Sequence, residues 1–142
     1  ISLSREHDPE KGLSAAGIEQ TRLIAGVAEG YQVRVDKICH SGKKRASQTA
    51  EIFKETLTGD ISLETIQGIL PMDDVIPLAQ KADTLANVMV VGHLPFMERL
   101  VGFLTCGDAD QRVYRFQNSG IVCMDCEGGD WYIKWTLSPN IS

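Results

Sequence analysis

Val88-Met89-Val90-Val91-Gly92-His93-Leu94-Pro95 is a continuous apolar run that stops on a glycine and a histidine. A half-buried strand alternates polar and apolar residues, whereas an unbroken run suits a strand covered on both faces, as in a parallel sheet. Pro95–Leu104 reads as the helix that follows, with Met97, Leu100, Val101 and Leu104 turned inward. Gly92-His93 therefore belongs at the carboxyl end of a buried strand. His40-Ser41-Gly42-Lys43-Lys44-Arg45-Ala46 has the same setting. Val33–His40 reads as a strand, and Lys44–Leu57 as a helix whose Ala46, Ala50, Phe53 and Leu57 recur at helical spacing.

Outward from these two segments, Ser14–Ala28 reads as a helix capped by Ser14 and stopped by Gly30, with Ile18, Ile24, Val27 and Ala28 on one side. Ile61–Ile66 is a short strand. Asp74 caps a helix running to about Ala86, with Pro77 in its first turn, where a missing N–H does no harm. Gly120–Cys126 and Trp131–Leu137 form a hairpin around Glu127-Gly128-Gly129-Asp130. Strands alternating with helices imply an α/β fold, with the hairpin adding an antiparallel edge. The 142 residues fit one domain, 1–142.

Apolar residues make up 43% of the chain and charged residues 23%, which is ordinary for a globular protein with a core. The net charge of −5 repels polyanions, so nucleic acid and an anionic membrane are excluded as partners. No run is long enough to span a bilayer. Cys39, Cys106, Cys123 and Cys126 lack zinc-site spacing and read as buried free thiols, which suits a cytoplasmic setting. No metal-ligand cluster is visible, and no cofactor is expected.

Ligands of open α/β sheets bind beyond the carboxyl ends of the strands, where helix N-termini favour anions. Arg45 adds a permanent cation with paired donors, and His93 adds an imidazole, so a phosphate pocket is the implied chemistry. Each residue also has a plainer reading. Lys43, Lys44 and Arg45 suit a solvated first turn, and a lone histidine after a strand suits a structural hydrogen bond.

The motifs together resemble a known family. Ser41-Gly42-Lys43-Lys44-Arg45-Ala46-Ser47-Gln48-Thr49-Ala50 is similar to the Ser-x-x-x-Arg-Ala-x-Gln-Thr-Ala segment of the histidine phosphatase (phosphoglycerate mutase-like) superfamily. Leu13-Ser14-Ala15-Ala16-Gly17-Ile18-Glu19-Gln20 resembles its Leu-Thr/Ser-x-x-Gly-x-x-Gln helix start. Val90-Val91-Gly92-His93-Leu94-Pro95 resembles the segment holding its second active-site histidine, and Asp8-Pro9-Glu10 resembles the short SixA-type phosphohistidine phosphatases. The resemblance covers Asp8–Phe103 well and the hairpin loosely. It implies a three-layer sandwich, with helices on both faces of a mostly parallel sheet. It also implies that Arg45 and His93 are catalytic and bind the phosphoryl oxygens, that Ser41 contributes to binding by shaping the turn, and that His40 has no catalytic part.

The family's first strand ends in Arg-His-Gly, whose histidine is the nucleophile, and the chain has no such triplet. The expectation is a strand carrying it ahead of Ile1. Arg5-Glu6-His7 is set aside as a substitute, because no apolar strand precedes it and Asp8-Pro9 follows; His7 reads as a loop residue. The stretch Leu57–Val88 is too short for the covering insertion of larger members, so an open site is expected. Asp73 and Asp74 are candidates for a general acid, with helix capping as their plainer role. An open site without an assured acid suits phosphohistidine on another protein. A small phosphate ester is the alternative substrate, and a non-catalytic phosphate- or phosphoprotein-binding module is the alternative to an enzyme.

Overall fold

The computed structural model describes residues 1–6 and 11–139. In chain order the elements are β1 (Ser2–Glu6), α1 (Ala15–Gly30), β2 (Lys37–His40), α2 (Lys44–Thr56), β3 (Ser62–Thr65), α3 (Ile76–Gln80), β4 (Val88–His93), α4 (Phe96–Cys106), β5 (Ile121–Glu127) and β6 (Asp130–Leu137). The strands form one sheet in the order β3-β2-β4-β1-β5-β6. Parallel pairing joins β3, β2, β4 and β1, while β5 runs antiparallel to both β1 and β6.

The apolar run at 88–91 is explained by this position. β4 has neighbours on both edges and helices on both faces, and all six of its residues are buried. Its alternation divides the core. Val88 and Val90 pack towards α3 and α4 with Leu3, Phe96, Leu100 and Phe116, whereas Met89 and Val91 pack towards α1 and α2 with Ile24, Ile38 and Phe53. The fold is the mixed α/β sheet with helices on both faces that the motifs imply.

Several expectations need correction. The slot between β4 and β5 is filled by β1, the chain's own first residues, although a strand ahead of Ile1 was expected there. Of the β1 side chains only Leu3 is apolar, and the serines beside it, Ser2 and Ser4, are buried by the neighbouring strands instead of being marked by hydrophobicity. His7, read as a loop residue, lies outside the described residues. Val33–Asp36 is not strand. Val33 N closes the end of α1 on Ala28 O, and Asp36 N reaches Asn87 O, so β2 begins only at Lys37.

The buried stripe of α1 is Thr21, Ile24, Ala25 and Ala28, leaving Val27 exposed; Gly30 is the last helical residue, and Tyr31 is the cap. The helix expected over 74–86 breaks into α3 and a 3-10 turn at Ala82–Thr84, where the Thr84 hydroxyl donates to Lys81 O and competes with the helical pattern. Cys39 is the fully buried thiol; Cys106 is exposed, and Cys123 and Cys126 are half-buried.

Candidate active site

β2 and β4 are adjacent and parallel, with His40 level with Val91, so the residues leaving both strands emerge side by side. His93 ends β4 fully buried, and Ser41 follows β2. Their side chains meet, with Ser41 Oγ 2.6 Å from His93 Nε2. The same Oγ accepts from Lys43 N at 3.2 Å. A hydroxyl oxygen has two lone pairs, so it can accept both the Lys43 amide and an Nε2–H of the imidazole. The hydroxyl can also donate its own proton to Nε2, so the contact serves either neutral tautomer of His93.

The turn that carries Ser41 is built by two neighbours. Gly42 has φ +87, in the left-handed region that glycine adopts without strain, and a Cβ there would press on Thr65 Cγ2 at 3.0 Å. His40 Nδ1 accepts from Gly42 N at 3.0 Å. An accepting Nδ1 requires the neutral ring, and burial pushes the His40 pKa below its usual value. Sequence reasoning gave His40 no catalytic part, and the structure gives it a positioning one. The side chain–main chain bond was not visible in a motif that begins one residue later.

Arg45 lies in the first turn of α2, four residues after Ser41, and is half-buried. Its Nε is buried without a hydrogen-bond partner among the described residues. The side chain borders a groove of about 220 Å³ between the start of α1 and residues 118–119, lined also by Leu13, Gly17, Gln20 and Asn118. Ser41 and His93 are thus in direct contact. Arg45 stands beside them along the chain but faces a groove whose lining does not include His93. A roomier cavity of about 390 Å³, lined by Ala28, Tyr31, Val33 and Trp135 among others, contains none of these residues.

Asp73 and Asp74 hold their own loop instead of pointing free. Asp73 Oδ2 accepts from Leu70 N at 2.9 Å, and Asp74 Oδ1 accepts from Ile76 N at 3.0 Å. Among the described residues no group of three or more His, Cys, Asp or Glu is placed to hold a metal ion. No helix among them is long and apolar enough to cross a membrane.

Sequence reasoning also missed the segment 107–120, which contributes Asn118 and Ser119 to the groove wall. It carries no helix or strand, and its tie to the site runs through buried polar contacts that no periodicity reveals.

No family model matches the chain. It is 29% identical over 145 residues to the phosphohistidine phosphatase SixA of Escherichia coli K12, covering 97% of this chain and 88% of that protein. The solved structure of the protein histidine phosphatase SixA complexed with tungstate superposes with a TM-score of 0.83 at 26% identity, over 97% of this chain and 96% of that one. The alpha-ribazole phosphatase of Shigella flexneri shares the fold, with a TM-score of 0.74 at 13% identity over 99% and 97% of the two chains. In strand order, in the Ser41–His93 contact and in these likenesses together, the chain is similar in sequence and fold to phosphatases of the histidine phosphatase (phosphoglycerate mutase-like) superfamily.

Proposed function

We propose that the chain hydrolyses the phosphoryl group from a histidine of another protein, through a covalent phosphohistidine intermediate and in a cytoplasmic setting. The observation that carries this reading is the 2.6 Å contact between Ser41 and His93 at the ends of two adjacent parallel strands, with Arg45 in the helix turn that follows. In this reading the Arg45 guanidinium and the His93 Nε2–H bind the equatorial oxygens of the phosphoryl group. Their charge and dipoles oppose the negative charge that builds up in transfer. Ser41 occupies the His93 Nε2 until the anion takes its place, and the Nε2–H then donates to the anion.

The resemblance implies an attacking imidazole at the carboxyl end of the strand beside β4. In that slot β1 ends on Arg5-Glu6, with Glu6 level with His93. A neutral enzyme imidazole attacks phosphorus, the bond from phosphorus to the substrate nitrogen breaks, and that nitrogen keeps the electron pair, leaving as neutral imidazole because the substrate ring already carries its proton on the other nitrogen. Water then displaces phosphate from the enzyme imidazole.

The leaving group decides between substrates. The conjugate acid of imidazole has a pKa of about 6.5, so a protonated phosphohistidine ring departs without help. An alkoxide is far more basic and needs a donor. Asp73 and Asp74, the candidate acids, are engaged by amides of their own loop. Phosphohistidine is therefore the favoured substrate over an alkyl phosphate such as a sugar phosphate.

A second reading, a phosphoryl-binding module without turnover, draws support from the residues Ser4-Arg5-Glu6 at the strand end where the family has Arg-His-Gly. One experiment separates the readings. The protein is mixed with a phosphohistidine-bearing protein and, separately, with a sugar phosphate, and is quenched in alkaline detergent to preserve phosphoimidazole. Faster release of phosphate from the first, with a trapped phosphorylated enzyme, is expected. Equal or greater activity on the sugar phosphate would overturn the substrate reading, and binding without turnover would favour the module.

A further inference from the structure

The segment 107–120 joins α4 to β5 without helix or strand, yet buried polar side chains fasten it at two points. At the first, Glu98 in the opening turn of α4 is nearly inaccessible, and its Oε2 accepts from Phe116 N at 3.0 Å while Arg112 stands 3.8 Å from Oε1. At the second, the Thr21 hydroxyl of α1 donates to Gly17 O at 2.8 Å. With its only proton spent there, Thr21 Oγ1 accepts from the Ser119 hydroxyl at 2.9 Å, and both side chains are buried.

Between the two fastenings the chain makes a tight turn, with Gly120 N on Gln117 O at 3.1 Å and Ser119 at φ +63. A left-handed backbone is unusual for a serine and persists only where its surroundings over-determine it. The turn presents Asn118 exposed at the wall of the groove beside Arg45, with Gln20 of α1 on the same lining.

We propose that Asn118 is a specificity-determining residue, whose carboxamide takes the main chain of the phosphorylated polypeptide next to Arg45. This rests on the protein-phosphohistidine reading and names how the polypeptide is held. A carboxamide offers both a donor and an acceptor, matching the C=O and N–H of a peptide bond. Among the described residues the groove has no cation besides Arg45, so a second phosphate, as on a sugar bisphosphate, finds no counter-charge there. The two fastenings and the strained Ser119 fix where Asn118 stands, and pre-organisation of this kind lowers the entropy lost on binding.

The test is calorimetric binding of two probes, inorganic phosphate and a short Ala-Ser peptide carrying phosphoryl-triazolylalanine, a non-hydrolysable phosphohistidine analogue. The wild-type protein is expected to bind the peptide about tenfold more tightly than phosphate. Asn118→Ala is expected to weaken the peptide about fivefold more than it weakens phosphate, the effect of about one hydrogen bond. Asn118→Ser, which stays neutral and suits the turn but removes the carboxamide, should do the same if the alanine variant folds poorly. Equal losses on both probes, or no preference for the peptide in the wild type, overturn the role of Asn118 and leave the phosphoryl site standing. Absence of phosphate binding by the wild type overturns the site and this role together, while a peptide preference without turnover fails only the hydrolytic reading.

Discussion

Gly102→Ala sets two opposed effects against each other. Gly102 lies in α4, where alanine is favoured over glycine by about 1 kcal/mol in a helix interior. A Cβ at this position, however, would stand 2.1 Å from Gln111 O and 2.9 Å from Asp108 O, both main-chain atoms of the segment 107–120. To reach a tolerable 3.0 Å, Gln111 O must retreat by about 0.9 Å. A backbone cannot yield as a flexible side chain can. Overpacking of this kind costs about 1–3 kcal/mol. The retreat also pulls on Phe116, buried against α4, and on its bond to Glu98, where a half-lost buried hydrogen bond adds about 1 kcal/mol. The steric effect wins, for a net loss of about 2 kcal/mol and a fall in Tm of about 6–8 °C for a chain of this size. Thermal unfolding followed by circular dichroism measures it. A rise in Tm would show that helix propensity dominates and that the segment does not lie against α4 as described.

Ser4→Ala should stabilise the protein. Ser4 is wholly buried in β1, and its Oγ has no hydrogen-bond partner among the described residues, a burial that costs about 1–2 kcal/mol and that alanine relieves; urea unfolding with a lowered midpoint would mean that the hydroxyl is satisfied. His40 should make stability depend on pH. Its folded pKa lies below the ordinary 6.5, so the unfolded chain binds more protons between the two values, and the contribution is present above 6.5 and is lost as pH falls through the folded pKa. His40→Asn, whose side-chain oxygen can still accept from Gly42 N, should flatten the urea midpoint between about pH 5 and 7, and an unchanged slope would remove His40 from the turn.

The sheet interior was legible where hydrophobicity alone marks a strand. Val88–Val91 are buried on both faces, and the apolar run could have no other use. The helix after Ser41 was equally plain from Ala46, Ala50 and Phe53, all of which are buried. β1 was not legible, because its buried residues include Ser2 and Ser4, and a serine sequestered by strand pairing looks like a serine in a loop. Of the site, Ser41 and His93 came from motif position, and their contact confirms the pairing of the two strand ends. The turn-building role of His40 and the fastening of Asn118 through Glu98, Thr21 and Ser119 depend on contacts 2 to 98 residues apart in sequence, which leave no local pattern.

The direct test of the phosphoryl site is a crystal structure of this protein grown with tungstate, a tetrahedral oxyanion that stands in for the phosphoryl group. The account predicts one anion within about 3 Å of both the Arg45 guanidinium and His93 Nε2, with Ser41 Oγ alongside. An anion bound elsewhere, or one that reaches Arg45 while His93 stays closed off behind Ser41, would contradict it.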